Sequence, residues 1–348
     1  MSSLANATDT CLSTISLAKL IRADPEIDKE LLAACVKVGF FYLDCNDYES
    51  NRIVKEVEGL FQATRKTYDL PQDAKDDWIV DKDHGEDLPV CGYKRSGVSN
   101  GSVVGKKDGF EGIMVFEHAL KTASKEERLA APGPLAEQRE LLSASIHDFH
   151  TVGLAILSSL SRALGLPDGQ GFEHFHRLDE KCTTALGLLK YRKYTPTDEQ
   201  VGHIAHTDAG SLSFVFSNIG GLQVLMPGSE QWSFIAPRHG CAIVNVGDSL
   251  QFLAGGCLRS SLHRVVPHAD QEREEKYTVV YLMRPESDAM LKDPQGNEWR
   301  SVDWCNKKFA VFRADLAEMK LGSFLTGREG YTGMVTPKEI AVEMAQVM

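Results

Sequence analysis

No apolar run in this chain approaches the roughly 18 residues that a bilayer-spanning helix requires. Positive charge is also in short supply. Lys and Arg number 38 against 49 Asp and Glu, and the formal charge of −11 argues against a nucleic-acid or anionic-membrane surface. The opening MSSLANATDTCLSTISLAKLIR lacks both the apolar h-region of a signal peptide and the Arg-rich bias of a transit peptide, so a cytoplasmic location is expected. Cysteines are few and scattered: Cys11, Cys35, Cys45, Cys91, Cys182, Cys241, Cys257 and Cys305 include no C-x-x-C pair. That spacing fits neither a disulfide framework nor a zinc ribbon, and all eight are expected to be reduced and structural. Internal repeats, low-complexity tracts and Pro/Ser-rich linkers are missing too, so nothing cuts the 348 residues into separate units.

What is present changes character along the chain. The first half reads as helices with short β interruptions. PEIDKELLAACVKVGFFYL has acids in its first turn and Leu31, Leu32, Cys35 and Val36 at helical spacing, then turns β-like after Gly39. ESNRIVKEVEGLFQATRKTYDLP sets Val54, Val57, Leu60 and Phe61 on one helical stripe and stops at Pro71. Residues 82–112 are glycine-rich and loop-like, and 122–165 return to helix. From about residue 184 the pattern becomes short apolar or alternating runs separated by turn residues, which is the signature of a sandwich or barrel. One helix is expected around 308–320 and another from Pro337.

VGHIAHTDAG, residues 201–210, puts chemistry into this β-rich half. His206 and Asp208 are two apart and project to the same side of an extended segment. A third ligand must come from elsewhere, and His263 in RSSLHRVVP opens another extended run. Two imidazoles and a carboxylate on one face leave the other face of a metal open, the facial triad of non-haem Fe(II) oxygenases. The lack of thiolate suits Fe(II) better than structural zinc. An isolated H-x-D more often marks a hydrogen-bonded turn than a metal site. His203 reads as a polar rim residue, with a role behind the ligands as the alternative, while His239 and His268 read as solvated turn residues.

The surrounding text separates these readings. AHTDAGSLSFVF, GGLQVL, QWSFIAP, VNVGDSLQFLAGG, SLHRVVP and KYTVVYLMRP follow in an order that resembles the Fe(II)/2-oxoglutarate-dependent dioxygenases of the isopenicillin N synthase-like superfamily. GFFYLDC, LFQATRKTYDLPQDAK and GYKRSG resemble that family's N-terminal region. The resemblance implies a mixed α+β fold: a double-stranded β-helix (jelly-roll) core wrapped by N- and C-terminal helices. It implies residues 1–183 as a helical region with a substrate-side loop, 184–285 as the metal-carrying core and 286–348 as a helical lid, all in one structural domain. It further implies Fe(II) on His206, Asp208 and His263, with 2-oxoglutarate and O2 as co-substrates and ascorbate as a candidate reductant. Oxidation of a small organic molecule, by hydroxylation, desaturation or ring formation, would release succinate and CO2. A natural-product intermediate or amino-acid derivative is the expected substrate class, with no nucleic-acid or membrane partner.

One departure stands out. The family's Arg-x-Ser, which holds the distal carboxylate of 2-oxoglutarate, aligns here with Lys276 and Thr278. Lysine keeps the charge but loses the planar fork. Arg273 would serve only if the register slipped by three, leaving Glu275 where a hydroxyl is wanted. Tyr191 aligns with a family tyrosine that donates to the same carboxylate. The departure keeps open a same-fold iron oxidase that does not use 2-oxoglutarate, either isopenicillin N synthase-like or ascorbate-dependent, and a non-catalytic binding member. Substrate contacts are expected from Lys106, Lys107, Phe110 and Glu111 on the glycine-rich loop, and from Phe252 and Leu253 on a strand before the AGG turn.

Overall fold

A computed structural model describes residues 12–79, 92–122, 133–229, 231–320, 322 and 324–340. Cys11, Cys91 and most of the helix expected from Pro337 lie outside these residues. Helix Pro25–Lys37 starts where the Asp24 carboxylate accepts the Glu26 N–H and Pro25 supplies a preset φ. It ends at Gly39, whose φ of +74° favours glycine and where a Cβ would fall 2.0 Å from the Arg259 carbonyl oxygen. The chain then enters a strand. Helices Arg52–Tyr68 and Arg139–Ala163 follow, each with one buried stripe.

Among the described residues, twelve strands form two sheets. They are β1 (Thr14–Ser16), β2 (Phe40–Asp44), β3 (Gly92–Lys94), β4 (Phe110–Phe116), β5 (Ala185–Tyr191), β6 (His203–His206), β7 (Leu212–Ser217), β8 (Leu222–Leu225), β9 (Trp232–Phe234), β10 (Cys241–Val246), β11 (His263–Val265) and β12 (Lys276–Met283). The large sheet runs β1-β2-β10-β7-β12-β5-β4-β3 and the small one β6-β11-β8-β9. This is a mixed fold of helices and large β-sheets. A further small hairpin pairs Met290–Lys292 with Glu298–Arg300.

Alternation along β12 defines the two faces of the large sheet. Tyr277, Val279, Tyr281 and Met283 join the main core cluster with Leu31, Leu60, Phe149 and Leu157 of the three helices. Lys276, Thr278, Val280 and Leu282 therefore point the other way, toward the small sheet. A second cluster lies between the sheets, joining Phe40, Tyr42 and Ile243 of the large sheet to Leu222, Val224 and Val265 of the small one.

Several expected elements come out differently. Residues 92–94 and 110–112 of the glycine-rich stretch are strands, because the β5 edge offers β4 a full ladder from Phe110↔Tyr191 to Phe116↔Ala185. Pairing overrides the local glycine preference for loops. Phe252 and Leu253 lie on a short helix, Asp248–Leu253, not a strand. The late helix is two, Ser301–Arg313 and Leu316–Lys320. Cys35, Cys45, Cys241, Cys257 and Cys305 are free thiols, and burial raises the Cys45 thiol to about 12. Among the described residues no helix is long and apolar enough to cross a membrane.

Candidate metal centre

Strand pairing brings the two histidines together. His263, the first residue of β11, lies directly across from His206, the last residue of β6, so their side chains rise side by side. Their ring centroids are 4.3 Å apart. Asp208 follows two residues after His206, and its Oδ1 and Oδ2 lie 3.5 Å from His206 Nε2 and 3.8 Å from His263 Nε2, respectively. One ligand atom from each of the three falls within 4.8 Å of the others.

The surroundings orient each ligand. Nδ1 of His206 lies 2.8 Å from the Ile204 carbonyl, and Nδ1 of His263 lies 3.1 Å from the Ser261 carbonyl. A carbonyl can only accept, so each ring carries its proton on Nδ1 and turns the Nε2 lone pair toward Asp208. Ser213 Oγ and Asn245 Nδ2 donate to Asp208 Oδ2 at 2.6 and 2.8 Å. Burial opposes the Asp208 charge, but His263 and His206, when protonated, and the Asn245 amide hold its carboxyl well below the usual range. Burial drives His263 down to about 4. Two neutral imidazoles and one carboxylate, all oriented and without thiolate, are a donor set that fits Fe(II).

A cavity of about 100 Å³ opens onto His206 and Asp208, bordered by Leu212, Leu282, Arg284, Lys308, Phe309 and Phe312 among others. The last three come from helix Ser301–Arg313, a hundred residues downstream of the first histidine. Lys308 is buried and bonds Asp248 and, at 2.5 Å, the Thr207 hydroxyl. Asp248 N–H in turn donates to the Asp208 carbonyl at 2.7 Å, so the late helix is tied to the ligand loop.

His203 is not a plain rim residue. Its ring stacks 4.5 Å from His206, 4.7 Å from Phe110 and 5.5 Å from Phe312, and burial keeps it neutral by lowering its pKa well below the usual value. Phe110 lies a further 5.3 Å from Tyr191, so an aromatic row leads from the ligands to the Tyr191 position. Tyr191 pairs across the sheet with Lys276.

Lys276 is 2% exposed, and its ammonium donates to the Ile219 and Gly220 carbonyls at 2.7 and 3.0 Å. Its third donor remains. No acid pairs with it among the described residues, and burial lowers it to about 7. Thr278 on the same face shares a 2.8 Å hydrogen bond with Ser217. Arg273, the slipped-register choice, is exposed.

The residues expected to contact substrate divide. Phe110 lies against His203, whose ring in turn meets that of His206, and does not itself border the cavity. Glu111, its neighbour on the opposite face of β4, accepts from Lys75 Nζ at 2.7 Å and Tyr93 Oη at 2.6 Å in a buried cluster. Lys106 bonds Asp198 and Glu199, and Lys107 is exposed. Phe252 packs edge-on to Trp304, 5.0 Å away, and does not border the cavity. Asn245, Ser213, Arg284 and Phe312 were missed. The alternation in VNVGD does put Asn245 on the Ile243 face, but no local pattern marks a residue from a distant helix.

Comparisons with known proteins agree with this geometry. The profile of the 2OG-Fe(II) oxygenase superfamily matches residues 183–285, and that of the non-haem dioxygenase in morphine synthesis N-terminal region matches 12–132. A 2-oxoglutarate-dependent dioxygenase, gloE, of Glarea lozoyensis is 36% identical over 94% of this chain and 95% of its own. Another, frbH of a Dothideomycetidae species, is 33% identical over 91% and 95%. A full-length Neurospora crassa protein crystallised with α-ketoglutarate superposes with a TM-score of 0.71 at 20% identity, covering 89% of this chain and all of that one. The chain belongs to the 2OG-Fe(II) oxygenase superfamily. It is an oxidoreductase, a 2-oxoglutarate-dependent dioxygenase that uses Fe(II).

Proposed function

We propose that His206, Asp208 and His263 hold Fe(II), and that Lys276, with Thr278 and Tyr191, receives the distal carboxylate of 2-oxoglutarate. The convergence of the three ligand atoms within 4.8 Å carries this reading. Bound Fe(II) supplies the oxidising chemistry, in which O2 splits 2-oxoglutarate to succinate and CO2 while a substrate carbon is oxidised. The chain's own residues do the positioning. The backbone carbonyls of Ile204 and Ser261 fix the imidazole tautomers, and Ser213 and Asn245 hold the carboxylate still. Lys276 offers a buried cation to a dicarboxylate that would otherwise lose its hydration uncompensated.

The two facing sheets, read as strands β5 to β12, make a double-stranded β-helix whose open end carries the metal. Of the described residues, those within 184–285 form that core, those within 1–183 pack against it, and those within 286–348 close over the mouth. Phe309 and Phe312 at the cavity support the last assignment. The small cavity with aromatic walls favours a small organic substrate, such as a natural-product intermediate or amino-acid derivative. Hydroxylation, desaturation and ring formation share this site chemistry. Free thiols at Cys35, Cys45, Cys241, Cys257 and Cys305 suit the reducing cytosol.

The test is succinate formation from 2-oxoglutarate by the aerobic Fe(II) protein without added substrate. Slow uncoupled turnover that stops in Asp208→Ala is the expected result. Equal succinate in both would overturn the ligand assignment.

A further inference from the structure

Arg284 follows the last residue of β12 and borders the same cavity as the metal-site residues, at the end away from Lys276. It is 4% exposed. Its backbone is fixed: the Arg284 N–H donates to Thr184 Oγ1 at 3.0 Å, and the Thr184 hydroxyl donates to the Arg284 carbonyl at 3.2 Å. Its arm crosses Gly210, where a Cβ would come within 2.8 Å of Arg284 Cγ and 2.5 Å of the Met283 carbonyl. Glycine at 210 is therefore what lets this side chain lie beside the ligand loop. The guanidinium carbon stands 5.4 Å from the Phe309 ring centre.

One donor of the guanidinium is used, since Nη1 bonds the Thr183 carbonyl. That leaves the Nε–Nη2 edge. Nε is fully buried and meets no acceptor among the described residues, and the Thr183 hydroxyl is likewise buried without a partner. No acid lies within ion-pair reach of Arg284 among the described residues. A buried, uncompensated guanidinium is costly unless something completes it. The Nε–Nη2 edge presents two parallel donors at the spacing of a carboxylate. Lys308 cannot supply that role because Asp248 and Thr207 already hold it.

We propose that Arg284 anchors a carboxylate of the substrate, placing an organic acid with its apolar body against Phe309 and Phe312 and its reacting carbon toward the ligands. The proposal rests on the oxygenase reading above and adds the chemical class of its substrate. It assigns Arg284 to the substrate and Lys276 to 2-oxoglutarate, two cations for two different acids.

The test titrates protein saturated with 2-oxoglutarate and with Mn(II) in place of Fe(II). The probes are 3-phenylpropanoate and butanoate, each beside its amide, and the readout is paramagnetic broadening of the probe protons. The wild type is expected to bind the acids at least about tenfold more tightly than the amides, the scale of a charge-assisted pair. Arg284→Gln should erase that preference and Arg284→Lys should keep part of it, with thermal unfolding used to check that both variants are folded. Acids and amides binding alike in the wild type would overturn the proposal, and so would an undiminished preference in Arg284→Gln. Displacement of the acids by excess 2-oxoglutarate would place them on Lys276 and overturn it as well. The same titration by saturation-transfer NMR without metal separates the two readings. An Arg284-dependent preference there, with no Mn(II) bound in the first experiment, would sink the metal assignment and leave the anchor standing.

Discussion

The two ends of the interior between the sheets are built on opposite electrostatic plans. At the β6–β11 end, a buried carboxylate is surrounded by donors and neutral imidazoles, and three lone pairs converge where a cation can sit. At the β12–β5 end, a buried ammonium rests on two carbonyl dipoles with no counter-charge. Neither arrangement is comfortable alone, because buried charge is expensive unless paired. Each lacks a counter-charge, which in the proposed reading Fe(II) supplies at one end and 2-oxoglutarate at the other. The polar interior therefore reads as a binding device, since the same positions filled with apolar side chains would stabilise the fold more simply.

Removing the anion of the first end should have the largest effect. Asp208→Ala should lower Fe(II)-dependent activity by on the order of a thousandfold or more, because several kcal/mol of metal interaction go with it. Anaerobic Fe(II) binding checks this apart from turnover. Lys276→Ala should weaken 2-oxoglutarate binding by roughly 10–100-fold while Lys276→Arg retains it, as calorimetric titration would show. Unchanged affinity in Lys276→Ala would break the comparison at its second end. Asn245→Ala leaves all three ligands in place and should cost metal affinity only about tenfold, through loosened Asp208.

A pH series sharpens the contrast further. With Lys276 near 7 in the free protein, the carboxylate-bound form must hold its proton more tightly. Affinity for 2-oxoglutarate should thus be full below pH 7 and fall by up to about tenfold per unit as the pH rises above it. Lys276→Arg should flatten that slope. The smallest effect on ligand binding is expected at Glu111. Glu111→Gln breaks a buried ion pair with Lys75 and should cost about 3 kcal/mol or more of stability. Metal and 2-oxoglutarate affinities of the folded variant should be unchanged, as a thermal melt beside the titrations would show.

What the sequence discloses follows from how local each signal is. The triad was legible because two ligands are two residues apart and the third opens a recognisable strand. The Lys276–Thr278 pair was reached only through its match to the family's Arg-x-Ser pattern; the structure puts both on one face at the start of β12. Glu111 was misleading: alternation on β4 puts it on the face opposite Phe110, and a stretch rich in glycine gave no sign of being a strand. Phe252 was assigned to a strand because its flanks are apolar, but it sits on a one-turn helix packed on Trp304. Phe309, Phe312 and Lys308 reach the cavity from the C-terminal helix, and that contact is set by tertiary packing alone. Arg284 was visible only as part of a recognised strand ending; its unfilled donor edge is a fact of burial.

The most direct test of the two-ended account is an anaerobic titration of the Fe(II)-loaded protein with 2-oxoglutarate, followed by the weak visible charge-transfer band of the chelate. The account predicts a saturable band in the wild type, none in Asp208→Ala, and in Lys276→Ala the same band reached only at roughly 10–100-fold higher 2-oxoglutarate. A wild-type protein that binds iron yet gives no band, or a Lys276→Ala protein that saturates at the wild-type concentration, would contradict it.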